Sequence, residues 1–151
     1  MAEVVSRDDM LDTFRPTIVE DGGDERIGEQ RWRFSRTDHP VETLAARVDA
    51  DGRSFAFTAD TGPGWSLAAL ADGTGIDLAL VESTFVDATF PRDAPHLTAR
   101  TAAGMATAAG VRKLVLTHLM PGEDPAAHLA EARASFNGSV SVADIDERYQ
   151  A

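Results

Sequence analysis

From Trp65 onward, apolar segments of two textures alternate, and this alternation limits the folds open to the chain. WSLAALADG reads as a short helix closed by Gly73, DLALVEST as a continuous apolar strand, and LTARTAAGMATAAG as an alanine-rich helix stopped by Gly110. KLVLTHL is the next strand. In DPAAHLAEARASF, Asp124 stands as N-cap with Pro125 at the first helical position, and Gly138 separates this helix from a last strand, SVSVAD. Strands alternating with helices predict parallel pairing through right-handed crossovers.

The first half reads differently. Residues 6–14, SRDDMLDTF, fit a short helix capped by Ser6 and stopped by Pro16, TIVE fits a short strand, and DGGDER fits a loop. QRWRFSRT alternates Trp32 and Phe34 with arginines at the two-residue period of a half-buried strand. TLAARVD and RSFAFTA flank DADG, where Asp-Gly signals a hairpin. These three strands are expected as sequential neighbours. The fold class expected is therefore α/β, with one mixed sheet and helices on one face. No repeat and no linker divides the chain, so residues 1–151 read as a single domain.

Composition excludes several functions. The absence of cysteine removes disulfides, thiolate metal sites and thiol nucleophiles, so any metal has to be held by histidine and carboxylate. A formal charge of -11, with Lys113 the one lysine, opposes nucleic acid and acidic membrane surfaces as partners. No apolar run approaches the ~20 residues that span a bilayer, and the start MAEVVSRDDM lacks a leader's apolar stretch, so a cytoplasmic protein is expected.

The candidate chemistry lies at segment ends. His39 closes QRWRFSRTDH, Asp60 closes RSFAFTAD and His118 stands at the end of KLVLTHL, which puts three potential metal ligands at the C-terminal tips of strands, where α/β sheets bind ligands. Glu82 closes the apolar strand DLALVE, and His96 precedes a helix that Thr98 is placed to cap. A Glu82–His96 hydrogen bond reads either as a proton shuttle or as a structural salt link. His128, flanked by alanines on a helix, is expected to face solvent.

The ordered stretches TDHPVETLAARV, FAFTADTGPG, LALVESTF and HLTARTAAGMATAAGVRKLVLTHL resemble the C-terminal half of metallo-β-lactamase-fold hydrolases, in the branch of ribonuclease Z and related phosphodiesterases. The resemblance covers about residues 30–143. It implies that Asp60, in Ala59-Asp60-Thr61 where the family usually has Gly-Asp-Thr, bridges two divalent ions, Zn or alternatively Mn. It further implies that His39 and His118 each bind one ion, and that Glu82 and His96 protonate the leaving group. The family's HxHxDH signature, which supplies four further ligands, has no counterpart, since no two histidines here are one residue apart. The ions would be incompletely liganded. The chain is therefore expected to be half of an αββα sandwich, inactive until joined by a complementary N-terminal half.

Half a sandwich leaves an apolar sheet face uncovered. Covering ~800 Å² at ~25 cal/mol/Å² is worth up to ~20 kcal/mol before entropy losses, so pairing with that half or homo-oligomerisation is expected. The reaction implied is attack by metal-activated water on a phosphodiester or ester. The tRNA-processing members carry a long arm between the positions of His39 and Asp60. Here the two are 21 positions apart and bridged by one hairpin, which favours a small substrate over nucleic acid. The competing reading is a non-catalytic binding or dimerisation module derived from the same fold.

Overall fold

Seven strands form one sheet in chain order, a direct outcome of hairpins in the first half and helical crossovers in the second. The computed structural model describes residues 13, 14 and 16–151. The helix expected over residues 6–14 lies outside the described residues, apart from Thr13 and Phe14. Strands β1 (Asp24–Ile27), β2 (Gln30–Arg36), β3 (Leu44–Ala50) and β4 (Arg53–Phe57) pair antiparallel. Strands β5 (Ile76–Glu82), β6 (Val111–Thr117) and β7 (Ser139–Val142) continue from β4 in parallel. Each parallel step encloses one helix: α1 (Ala68–Ala71), α2 (Ala99–Ala108) and α3 (Pro125–Arg133).

The helices start and stop where their sequences demand. The Thr98 hydroxyl caps α2 by accepting from Thr101 N–H at 3.2 Å, and the Asp124 carboxylate caps α3 by accepting from Ala126 N–H at 2.9 Å. Asp72 and Gly73 turn left-handed after α1, and Gly110 does so after α2. Ala99, Ala102, Ala103 and Ala106 of α2 are fully buried in one cluster with Leu70, Ala79, Val81, Leu114, Leu116 and Ala132. Their small side chains let α2 lie close against the sheet.

Three expectations need correction. TIVE is not a strand, and the supposed loop DGGDER holds the first three residues of β1. β1 is exposed at all four positions, so it has no apolar face to betray it, and it exists because it pairs with β2. The strands β2 and β4 also end earlier than expected. His39 and Asp60 each lie three residues beyond the last strand residue, in segments bonded to one another, with Thr58 N–H still donating to the Leu80 carbonyl of β5.

The face of the sheet away from the helices is apolar as well. Trp32 pairs with Val48, Phe34 with Ala46, Phe55 with Leu78 and Leu80 with Val115, and strand alternation sets these on one side. Part of it is covered by the C-terminal segment, where Tyr149 and Ala151 close a cavity against Phe55, Leu78, Leu80 and Val115. The Lys113 ammonium holds that segment by donating to the Gln150 carbonyl at 2.9 Å.

Candidate metal centre

Four strand ends of one sheet edge supply the site. After β2, Thr37 donates its hydroxyl to the Asp60 carbonyl at 2.8 Å, tying the His39 segment to the Asp60 segment. Asp38 strengthens the tie. Its carbonyl accepts from Gly62 N–H at 2.6 Å and its carboxylate from Gly64 N–H at 2.9 Å. A Cβ on Gly62 or Gly64 would come within 2.7 or 2.5 Å of that carboxylate, which is why the turn after Asp60 is Gly-Pro-Gly.

Ala59 adopts a left-handed conformation, φ 52°, and Asp60 follows it out of the strand. The residue before the aspartate is thus in a backbone region that favours glycine, and alanine holds it here at a cost of roughly 1–2 kcal/mol. His118, immediately after β6, is left-handed too, with φ 58°. The Asp60 carboxylate oxygen and His118 Nδ1 are 3.6 Å apart.

Glu82 ends β5 with 1% of its surface exposed. Its Oε1 accepts from Thr61 N–H at 3.0 Å and from His96 Nδ1 at 2.8 Å, and its Oε2 from Leu97 N–H at 3.1 Å. Thr84 adds both its N–H and its hydroxyl to Oε2, at 3.2 and 2.9 Å. A buried carboxylate is thereby fully satisfied.

The structure brings His39, Asp60, Glu82, His96 and His118 together. The His96 ring lies between the other two, 5.5 Å from His39 and 5.3 Å from His118 by ring centres. Ligand atoms of His39, Asp60 and His96 lie within 4.8 Å of one another, and so do those of Glu82, His96 and His118. His96 thus sits in both groups, although the sequence points to it only as a proton carrier.

A test of fit for a divalent cation comes from the imidazole hydrogen bonds. His39 Nδ1 is 3.3 Å from the Val41 carbonyl, His96 Nδ1 meets Glu82 and His118 Nδ1 meets the Thr84 hydroxyl at 2.9 Å. An Nδ1 facing a carbonyl or carboxylate carries the proton, which leaves the Nε2 lone pair for a metal. Together with the nitrogen and carboxylate donor set, this fits a borderline cation such as zinc.

Sequence reasoning missed three residues. Thr84, Asp38 and Thr37 carry no spacing signal, because each acts through a neighbour. His128 is a correction: it is fully buried, with Nδ1 2.8 Å from the Ser83 hydroxyl and Nε2 3.5 Å from Glu123. Burial pushes its pKa below the usual imidazole value, against the opposing pull of Glu123. The alanine-rich α3 shows no apolar stripe in sequence, so its buried side was not visible there.

Residues 13–119 match the beta-lactamase superfamily domain. This chain belongs to the beta-lactamase superfamily. The superfamily relatives include an uncharacterized protein of Mycobacterium tuberculosis, 36% identical over 115 residues, covering 74% of this chain and 41% of that protein. A ribonuclease Z of Nocardia farcinica is 43% identical over 127 residues, covering 79% of this chain and 40% of that protein. Among solved structures, the metallo-beta-lactamase fold protein YhfI from Bacillus subtilis superposes with a TM-score of 0.73 at 25% identity, covering 83% of this chain and 51% of that one. The chain therefore spans about two fifths of the length of these curated relatives. The superfamily is one of metal-dependent hydrolases, and its fold implies binding of divalent metal. No helix among the described residues is long and apolar enough to cross a membrane.

Proposed function

We propose that residues 1–151 form a single partial domain that supplies the second half of a metal-dependent hydrolase site. Asp60 would contribute to two ions, with His39 beside one and His118 beside the other, zinc being the metal best suited and manganese the alternative. These residues leave both ions short of ligands, so we propose that the isolated chain is inactive and that a complementary segment carrying HxHxDH completes the site. The observation that carries the reading is the convergence of three imidazoles and one carboxylate, their Nδ1 atoms already tied down, at one sheet edge.

Bound ions would activate water and neutralise charge developing on a phosphoryl or acyl centre. The chain's own residues account for the rest. Glu82, held by three backbone N–H groups, fixes His96 Nδ1–H and leaves Nε2 to hold and deliver a proton to a leaving group. The Thr37 and Asp38 bonds keep the His39 and Asp60 segments in register.

Ribonuclease Z is the name of several relatives, among them that of Nocardia farcinica. For this chain a small phosphodiester or ester is favoured over nucleic acid, because only β3, a tight turn and β4 connect His39 to Asp60 and the net charge is -11. The apolar second face of the sheet supports pairing, with the complementary half or with a second copy, and it also supports the competing reading of a non-catalytic dimerisation module. Mixing the chain with a segment that carries HxHxDH, in zinc, and following hydrolysis of bis-p-nitrophenyl phosphate separates the two. Hydrolysis that Asp60→Asn abolishes is expected. A mixture that associates but never hydrolyses the ester would leave the module standing.

A further inference from the structure

Thr84 is 2% exposed and its single hydroxyl touches two members of the site, Glu82 Oε2 and His118 Nδ1, each at 2.9 Å. A hydroxyl has one proton to give and lone pairs to accept with. Every other partner of Glu82 Oε2 is a backbone N–H, so this oxygen serves as an acceptor and takes the Thr84 proton. The Thr84 oxygen is then left to accept from His118.

We propose that Thr84 is a positioning residue that passes the acceptor character of Glu82 to His118, so that one buried carboxylate fixes the protons of His96 and His118 on Nδ1. His96 is set directly by Glu82 Oε1 and His118 indirectly through the threonine. Asp60 Oδ1, 3.6 Å from His118 Nδ1, is a second acceptor on the same side and favours the same tautomer. The consequence is that His118 offers its Nε2 lone pair, which is what a cation shared with Asp60 requires, while His96 keeps its Nε2 free to take and give a proton. The same β5 end thus orients a group on the α2 side and a group on the β6 side, and a change at Thr84 reaches His118 but not His96.

The use made of these tautomers rests on the metal-site reading above; the tautomers themselves do not. They are read in the metal-stripped, nitrogen-15-labelled full chain by long-range proton–nitrogen correlation of the imidazoles, at about pH 8.5, some two units above an ordinary imidazole pKa of ~6.5. Both His96 and His118 are expected as Nδ1–H forms. In Thr84→Val, His118 is expected to lose that form while His96 keeps it, and Thr84→Ser, which restores the hydroxyl, is expected to return His118 to it. With a segment carrying HxHxDH present, zinc affinity should fall by roughly 10–100-fold in the valine variant and recover in the serine variant, the range typical for loss of a partner behind a metal ligand. An Nε2–H His118 in the unsubstituted chain, or a His118 signal unmoved by Thr84→Val, would overturn the proposal. Correct tautomers in a chain that takes up no zinc even when mixed with a segment carrying HxHxDH would uphold the relay and remove the metal reading instead.

Discussion

Ala59 and His118 hold left-handed backbone conformations at the same sheet edge, with φ values of 52° and 58°. Non-glycine residues accept this only where surrounding contacts dictate it, and here both lie at or next to a candidate ligand. The restraint comes from bonds such as Thr37 hydroxyl to Asp60 carbonyl and Met120 N–H to Thr84 carbonyl, which leave the two turns one conformation each. Behind the edge, His128 gives a pH dependence whose sign follows from burial. Its folded pKa is depressed, so below an unfolded value of about 6.5 the unfolded chain binds the proton more readily. Stability is fully kept above that pH and is lost as pH falls toward the lowered folded value. Glu123, Glu131 and Asp124, the acids near the ring, temper the loss. Urea midpoints measured from pH 7.5 down to about 5 should fall more steeply in the unsubstituted chain than in His128→Gln, by up to about 1.4 kcal/mol per pH unit for one proton. Identical pH profiles would show that the ring does not stay neutral in the fold.

Where elements meet, glycines set the spacing. Gly75 enters β5 with φ 74°, and a Cβ there would stand 2.8 Å from the Gly110 carbonyl that precedes β6. The carbonyl is backbone and a Cβ is fixed rigidly to its own Cα, so neither can swing away. Gly75→Ala is expected to cost roughly 2 kcal/mol or more, seen as a lower chemical-denaturation midpoint, and an unchanged midpoint would mean the two strand entries are not locked together. Elements of this second half were legible in sequence because their punctuation is strong: Gly73, Gly110 and the Asp124-Pro125 pair each mark a boundary that the structure keeps. β1 was not legible. Asp24, Glu25, Arg26 and Ile27 are all exposed, and edge pairing to β2, together with the Arg31–Asp24 ion pair, makes them a strand where local pattern cannot. His39 and Asp60 were visible as residues beyond strands, while the three-residue extension past each strand was not, since it depends on Asp38 and Thr37 bonding across to the other segment.

At the scale of the whole molecule, the sheet separates two tasks. Its helix side is a finished core built on the alanines of α2, and its other side presents Trp32, Phe34, Val48, Phe55 and Leu80, with the C-terminal segment lying across part of it. The edge between them gathers residues that lie as much as 79 positions apart in the chain, from His39 to His118. Ligand-type residues at strand ends could be read from the sequence, but the central place of His96 and the bridging role of Thr84 appear only once β5 and β6 lie side by side. The central claim is that this edge is a metal site, and calorimetric titration with zinc of the metal-free chain mixed with a segment carrying HxHxDH tests it most directly. The account predicts a saturable binding heat that Asp60→Asn weakens by at least the ~10–100-fold lost with an outer partner. Absence of binding, or an affinity that the substitution leaves unchanged, would contradict it.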